Sequence, residues 1–222
     1  MQTPTNFSAE GTTLAYNYEA YQEKIATLDS AFIESHNARY PAGHKYHLCT
    51  SIRPCPFEGD LQSAKVVLLL ANPGYQANES TPLDHQRIEG WGLWGLSSEL
   101  PSMHTWWRPR LRHFVSRQAS EEEWRQLSHK VASFQAIAWA SENFHECNSL
   151  PSKALLAVTL KKLARERPEL LFVVMRQKAY WQSVLGDTGA KVILARNPRC
   201  SFISEGNIQS PDDWRLIVEA LA

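Results

Sequence analysis

The chain has 222 residues, 43% of them hydrophobic and 21% charged, with a formal net charge of zero. That length suits one well-buried core and is short for two full domains. The balance of charge excludes a molecule attracted as a whole to nucleic acid, and no apolar run reaches the length of about 18 residues that spans a bilayer. Met1 to Gly11 is polar, with no basic stretch leading into an apolar one, so no secretory signal is predicted and the cytoplasm is the expected compartment.

In chain order, Tyr18, Tyr21, Ile25, Leu28 and Phe32 recur every three or four positions and predict an amphipathic helix from about Leu14 to His36. Residues 39 to 60 carry Pro41, Gly43, Pro54, Pro56 and Gly59 and read as loop. Within that loop, His44, His47, Cys49 and Cys55 are metal-ligand types, but their intervals match no common zinc pattern, so no metal is predicted. The four cysteines (also Cys147 and Cys200) read as reduced thiols.

Lys65 to Ala71, KVVLLLA, is a short apolar run that ends in Asn-Pro-Gly and predicts a strand buried on both faces. Gln76 to Ser120 reads as irregular, with tryptophans at 91, 94, 106 and 107 beside Arg108, Arg110, Arg112 and Arg117. Those rings are either packing or stacking platforms for bases. Ser120 and Glu123 form a capping-box pattern for a helix with Trp124, Leu127 and Val131 on one face. A second strand is expected over Phe134 to Trp139, then a helix over Ser152 to Arg167 ended by Pro168. Leu170 to Met175 and Lys191 to Ala195 are the third and fourth strands, with a short helix around Ala179 to Leu185 between them. Ser210, Pro211 and Asp212-Asp213 mark the start of the last helix, whose apolar face is Trp214, Ile217, Val218 and Leu221.

Short apolar strands alternating with helices predict an α/β fold, a three-layer α/β/α sandwich on a four-stranded parallel sheet. Residues 1–53 form its N-terminal helical arm and loop, and 54–222 the α/β/α domain. Ligands in such folds bind beyond the carboxyl ends of the strands. The residues that follow each strand are therefore the candidates: Asn72, Pro73, Gly74 and Tyr75; Ser141 and Asn143; Arg176; and Arg196, Asn197, Arg199 and Ser201. Between Leu150 and Arg199 basic residues outnumber acidic ones ten to three, which permits an anionic ligand. No GxxxxGK[ST], GxGxxG or GxSxG pattern is present, which removes three common α/β site types, and no cofactor is predicted.

The run VVLLLANPGY resembles the first motif of the uracil-DNA glycosylase superfamily, in the Asn-Pro-Gly form of its mismatch-specific and single-strand-selective branches. ILARNPRCSFISEGNI stands where most members carry His-Pro-Ser after the last strand. PCPFEGD, VVMRQKAYW and SEGNI together resemble a bacterial branch of the same superfamily, and the likeness spans roughly residues 54–222. The resemblance implies a DNA glycosylase that hydrolyses the N-glycosidic bond of a modified or mismatched base. Asn72 would orient the water, and Asn197 would replace the histidine that steadies charge on the leaving base. Pro73, Gly74, Tyr75, Ser141, Arg176, Arg199, Ser201, Ser204 and Asn207 would line the substrate site, with DNA or a nucleotide as the partner of a monomeric protein.

Plainer readings stand beside these. Asn-Pro-Gly is turn chemistry in its own right. Arg176 has Glu142 and Glu146 as possible ion-pair partners, Asn207 after Gly206 has the form of a turn residue, and Phe202 and Ile203 are either a wedge for a flipped base or core. Where the family reads the base edge with an asparagine at the end of the second strand, this chain offers Trp139-Ala140-Ser141. The alternative function is a binding module of the same fold that holds a nucleotide or nucleic-acid end without cutting it; a third is an interaction protein that keeps only the scaffold.

Overall fold

A computed structural model describes residues 16–74, 87–145, 150–197 and 201–222. Among them are five strands, β1 (Phe57–Glu58), β2 (Val66–Leu70), β3 (Val131–Gln135), β4 (Leu171–Val174) and β5 (Lys191–Leu194). The helices are α1 (Tyr18–Arg39), α2 (Pro101–Leu111), α3 (Glu121–Lys130), α4 (Pro151–Glu166), α5 (Lys178–Leu185) and α6 (Pro211–Leu221).

The strands lie in the order β1-β3-β2-β4-β5. β3, β2, β4 and β5 are mutually parallel, as expected, while β1 adds an antiparallel edge, with Phe57 opposite Phe134 and Glu58 opposite Ser133. The sheet is thus five-stranded and mixed rather than four-stranded and parallel. Two residues between Pro56 and Gly59 are too few to show a period, and β1 exists only because β3 offers it a free edge.

Alternate residues of the strands feed two separate cores. Val67, Leu69, Phe134, Phe172 and Val174 pack with Tyr21 and Ile25 of α1, Leu156 and Leu160 of α4, and Trp181 of α5. Val66, Leu68, Leu171, Val173 and Ile193 pack with Trp107 and Leu111 of α2, Trp124 and Leu127 of α3, and Ile217 and Leu221 of α6. Helices therefore cover both faces. Right-handed crossovers explain the division: the chain steps from β2 to β3 in one direction, then crosses back to β4 and β5, so its helices change face. The reversal leaves a topological switch point between β2 and β4.

Several local expectations change. α1 runs Tyr18–Arg39, and its inward stripe includes the polar Gln22 and Asp29, while Phe32 is 40% exposed. Asp29 is fully buried because it serves three donors: its oxygens accept from the Trp139 indole at 2.8 Å, from the Ser152 backbone N–H at 2.9 Å and from the Ser152 hydroxyl. A carboxylate from α1 thereby caps the start of α4 across the core. α2 occupies part of the stretch read as irregular; Pro101 at its first turn and Pro109 inside it hide a helix from any propensity argument.

β3 begins at Val131, directly after Lys130 ends α3, and stops at Gln135, instead of running from Phe134 to Trp139. Val131 belongs to the strand, opposite Val66, rather than to the helix face. Ala136 to Ala140 stays buried beyond the regular ladder, and Ala136 and Ile137 donate to the carbonyls of Leu70 and Ala71. The capping box of α3 and the N-cap of α6 need no revision: the Ser120 hydroxyl accepts from the Glu123 N–H, and that of Ser210 from the N–H groups of Asp212 and Asp213.

Candidate functional site

All four parallel strands point their carboxyl ends to one edge, so the segments that follow them line up in the order of the sheet. Ser141 lies beyond β3, Asn72 follows β2, Arg176 follows β4, and Arg196 and Asn197 follow β5. Asn72 and Arg176 flank the switch point, the place where open α/β sheets form a crevice. With about 4.8 Å between neighbouring strands, Asn72 and Asn197 stand on the order of 10 Å apart, separated by the end of β4.

Asn72 is held by its neighbours. Its side-chain nitrogen donates to the Ser141 hydroxyl at 2.8 Å and to the Pro73 carbonyl at 3.0 Å. Ser141, buried, passes its own proton to the Asn143 carbonyl at 2.9 Å, and a parallel bridge joins Gly74 to Ser141. Both amide protons of Asn72 are committed, which leaves Oδ1 as an acceptor with no partner among the described residues. Pro73 is buried and Gly74 exposed, with nothing among the described residues within 4 Å of where its side chain would start. Tyr75 and Arg199 lie outside the described residues.

A cleft of about 240 Å³ opens between the ends of β4 and β5. Arg176, Lys178 and Arg196 line it, with Val174, Met175, Leu194 and Ala195 as its apolar floor and Gln209 at its margin. Asn72 and Asn197 flank this cleft without lining it. The two remote segments do reach one rim, but the concavity belongs to β4 and β5.

The loop after β5 is built around Asn207. Its buried side chain accepts from the Asn197 backbone N–H at 3.1 Å and donates to the Phe202 carbonyl at 2.8 Å. The Ser204 carbonyl accepts from the N–H groups of Asn207 and Ile208 at 2.9 and 3.0 Å. Ser201 is buried and accepts from Arg110 Nε at 2.7 Å. Ser201, Ser204 and Asn207 thus shape the loop from inside. Ile203 is core, whereas Phe202 is 41% exposed, with the Arg110 guanidinium 5.4 Å from its ring centre.

Three of the four arginines after Trp106-Trp107 engage their own surroundings. Arg108 pairs with Glu121 at 2.6 Å and lies over the Trp124 ring. Arg110 stacks 3.8 Å from the Trp106 ring centre, and Arg112 donates to the carbonyls of Val115 and Ser116. Trp94 and Trp107 are buried. Arg108, Arg110 and Arg112 thus contribute to packing, while Arg117 is exposed.

No family model and no curated protein matches the chain.

The side chain at the true end of the second parallel strand is Gln135. It is buried, and its Oε1 has no hydrogen-bond partner. Two more orphaned polar atoms lie on the same sheet face, Ser133 Oγ and Glu58 Oε2, the latter directly opposite Ser133. Burial pushes the Glu58 carboxyl up to about 8, opposed by the Gly95 N–H and the Trp107 indole beside it. Starting β3 three residues too late hid this polar stripe; the signal was the alternation of Ser133 and Gln135 with Ala132 and Phe134.

The histidine-rich loop is also structural. His36 Nε2 bonds the Tyr46 carbonyl, His47 Nδ1 bonds the Tyr40 carbonyl, and Asn143 N–H donates to the Lys45 carbonyl, each at 2.8 Å. Cys49 and Cys55 are buried free thiols, and burial pushes that of Cys55 far above its ordinary range. Among the described residues no group of three or more His, Cys, Asp or Glu side chains is placed to hold a metal. No described helix is long and apolar enough to cross a membrane. Cys147, Glu146 and Cys200 lie outside the described residues.

A larger cavity, about 440 Å³, lies at the opposite edge of the sheet, between Lys130, which precedes β3, and Leu221 at the end of α6. It is remote from every strand ending.

Proposed function

We propose that the chain is a uracil-DNA glycosylase-like protein that hydrolyses the N-glycosidic bond of a modified or mismatched base in DNA. The observation that carries the reading is the position of Asn72, at the switch point of the sheet with its amide nitrogen tied down by Ser141 and Pro73 and its Oδ1 turned into an acceptor. An acceptor so fixed orients a water molecule. It does not take the water's proton at neutral pH, because an amide is not a base there.

Rate enhancement then rests on the leaving group. As the glycosidic bond breaks, the sugar gains oxocarbenium character and the base gains negative charge. Arg176, across the switch point from Asn72, and Asn197 on the next strand ending are the donors that meet that charge. Gln135 supports the reading as a recognition element: it ends β3, the strand at whose end the resemblance implies an amide that reads the base edge, and its buried Oε1 has no partner. Phe202 is the exposed apolar side chain available to fill the gap left by an extruded base.

A non-cutting module that holds a nucleotide or nucleic-acid end is the second reading. It is favoured by the absence of a general base at Asn72 and by the net charge of zero.

Labelled oligonucleotides carrying uracil, hypoxanthine, xanthine, hydroxymethylated bases or a G·T pair separate the two. Alkali-labile abasic sites that form with the native protein and vanish with Asn72→Ala support the glycosylase. Binding without product, unaffected by Asn72→Ala but lost in Arg176→Ala, supports the module and ends the enzymatic reading.

A further inference from the structure

We propose that the cleft between β4 and β5 is a subsite for a terminal phosphate, which anchors the end of a nucleotide chain. The inference deepens the reading above and rests on it only for the identity of what the phosphate is attached to.

The cleft is cationic. Arg176, Lys178 and Arg196 line it, and among the described residues no acidic side chain does. Lys178 and Arg196 form no ion pair among the described residues, although most described arginines and lysines of α3 and α4 are paired or bonded to carbonyls. Arg196 Nη2 donates to the Gln209 carbonyl at 3.3 Å, which steadies the side chain and leaves other guanidinium donors for a ligand. The floor of Val174, Met175, Leu194 and Ala195 is apolar, so a bound anion meets its cations at a lower effective dielectric than in water.

Two further features agree. Lys178 opens α5, and Gln177, the residue before it, has a left-handed backbone (φ 55, ψ 48) with no side-chain hydrogen bond to the helix end. The Gln177 side chain therefore does not neutralise the positive potential of the first-turn N–H groups. The helix end adds to the field; the cleft and its cations define the site.

Charge and size choose the ligand. Lys178 and Arg196, two cations with no ion pair among the described residues on one concavity, suit a terminal phosphate, which carries about −1.5 to −2 at neutral pH, better than a singly charged diester. A volume of about 240 Å³ admits a phosphate and the carbon that bears it, but falls below the roughly 300 Å³ at which pockets begin to enclose whole small ligands. The remainder of the ligand must lie outside, along the rim toward Arg176 and Asn72.

The test compares one single-stranded oligonucleotide in three forms, unphosphorylated, 5′-phosphorylated and 3′-phosphorylated, by fluorescence anisotropy. Inorganic phosphate is used separately as a thermal-shift ligand. At least one phosphorylated form is expected to bind about tenfold tighter than the unphosphorylated one. That preference is expected to disappear in Lys178→Ala/Arg196→Ala and to persist in Arg165→Ala/Arg215→Ala, which removes the same charge elsewhere. Equal binding of the three forms, or a preference that survives Lys178→Ala/Arg196→Ala, overturns the proposal. If no oligonucleotide binds but phosphate raises the melting temperature of the native protein and not of that variant, the subsite stands and the nucleic-acid reading fails. If phosphate has no effect either, the proposal fails as well.

Discussion

The amide nitrogen of Asn72 donates to the hydroxyl of Ser141 at 2.8 Å, across the ends of the neighbouring strands β2 and β3. Sixty-nine positions of sequence separate the two residues. The bond selects the rotamer of Asn72 and so decides which way its acceptor faces.

Ser141 is therefore expected to act as a positioning residue. Ser141→Ala should lower product formation, or ligand binding if the protein does not cut, by about tenfold, while costing roughly 1 kcal/mol of stability for one lost hydrogen bond. Ser141→Thr keeps the hydroxyl and should restore most of the function. Equal loss in both variants would show that the hydroxyl does not matter.

Glu58 makes stability depend on pH. Burial raises its folded-state value from 4.5 to about 8, so the folded chain keeps this proton after the unfolded chain has released it. The unfolded state then binds fewer protons, and stability falls as pH rises from near 4.5 toward 8, by up to about 1.4 kcal/mol per pH unit from this group. Urea midpoints measured between pH 5 and 8 should decline in the native protein and flatten in Glu58→Gln. A native profile with no decline would contradict the dominance of burial over the Gly95 and Trp107 hydrogen bonds at this carboxyl.

Removal of Asp29 orphans the Trp139 indole and the Ser152 N–H and hydroxyl together. Asp29→Ala is expected to cost about 3–5 kcal/mol, enough to move the urea midpoint strongly. Asp29→Asn retains one acceptor and should lose clearly less. Equal midpoints for native and Asp29→Ala would mean that the α1–α4 tie contributes nothing.

Gly92 is required by space rather than by backbone angle. A Cβ there would stand 2.2 Å from the Ser128 carbonyl oxygen, while Gly92 N–H itself donates to the Ser128 hydroxyl at 3.0 Å. The obstacle is backbone, so Gly92→Ala should cost about 1–3 kcal/mol by calorimetry, with Gly43→Ala as a contrast in which strain at φ 86 replaces the clash. A Gly92→Ala melting temperature equal to the native one would refute the close approach.

The sequence by itself determined three of the four parallel strands, β2, β4 and β5, and their endings. KVVLLLA, LLFVVM and KVILA are short, apolar and bounded by turn residues, and Ser120, Ser210 and Pro211 mark their helices through local hydrogen bonding. Such signals are legible because the interactions behind them span only a few residues. Tertiary structure alone decided the rest: which strands are neighbours, that Phe57 and Glu58 pair with β3, and that Ser133 and Gln135 face the same core as Glu58. It also decided that Arg110 is consumed by Ser201 while Lys178 and Arg196 share a cleft. Those outcomes depend on the direction of each crossover and on which side chains it brings together from distant chain, and periodicity within one segment carries no record of either.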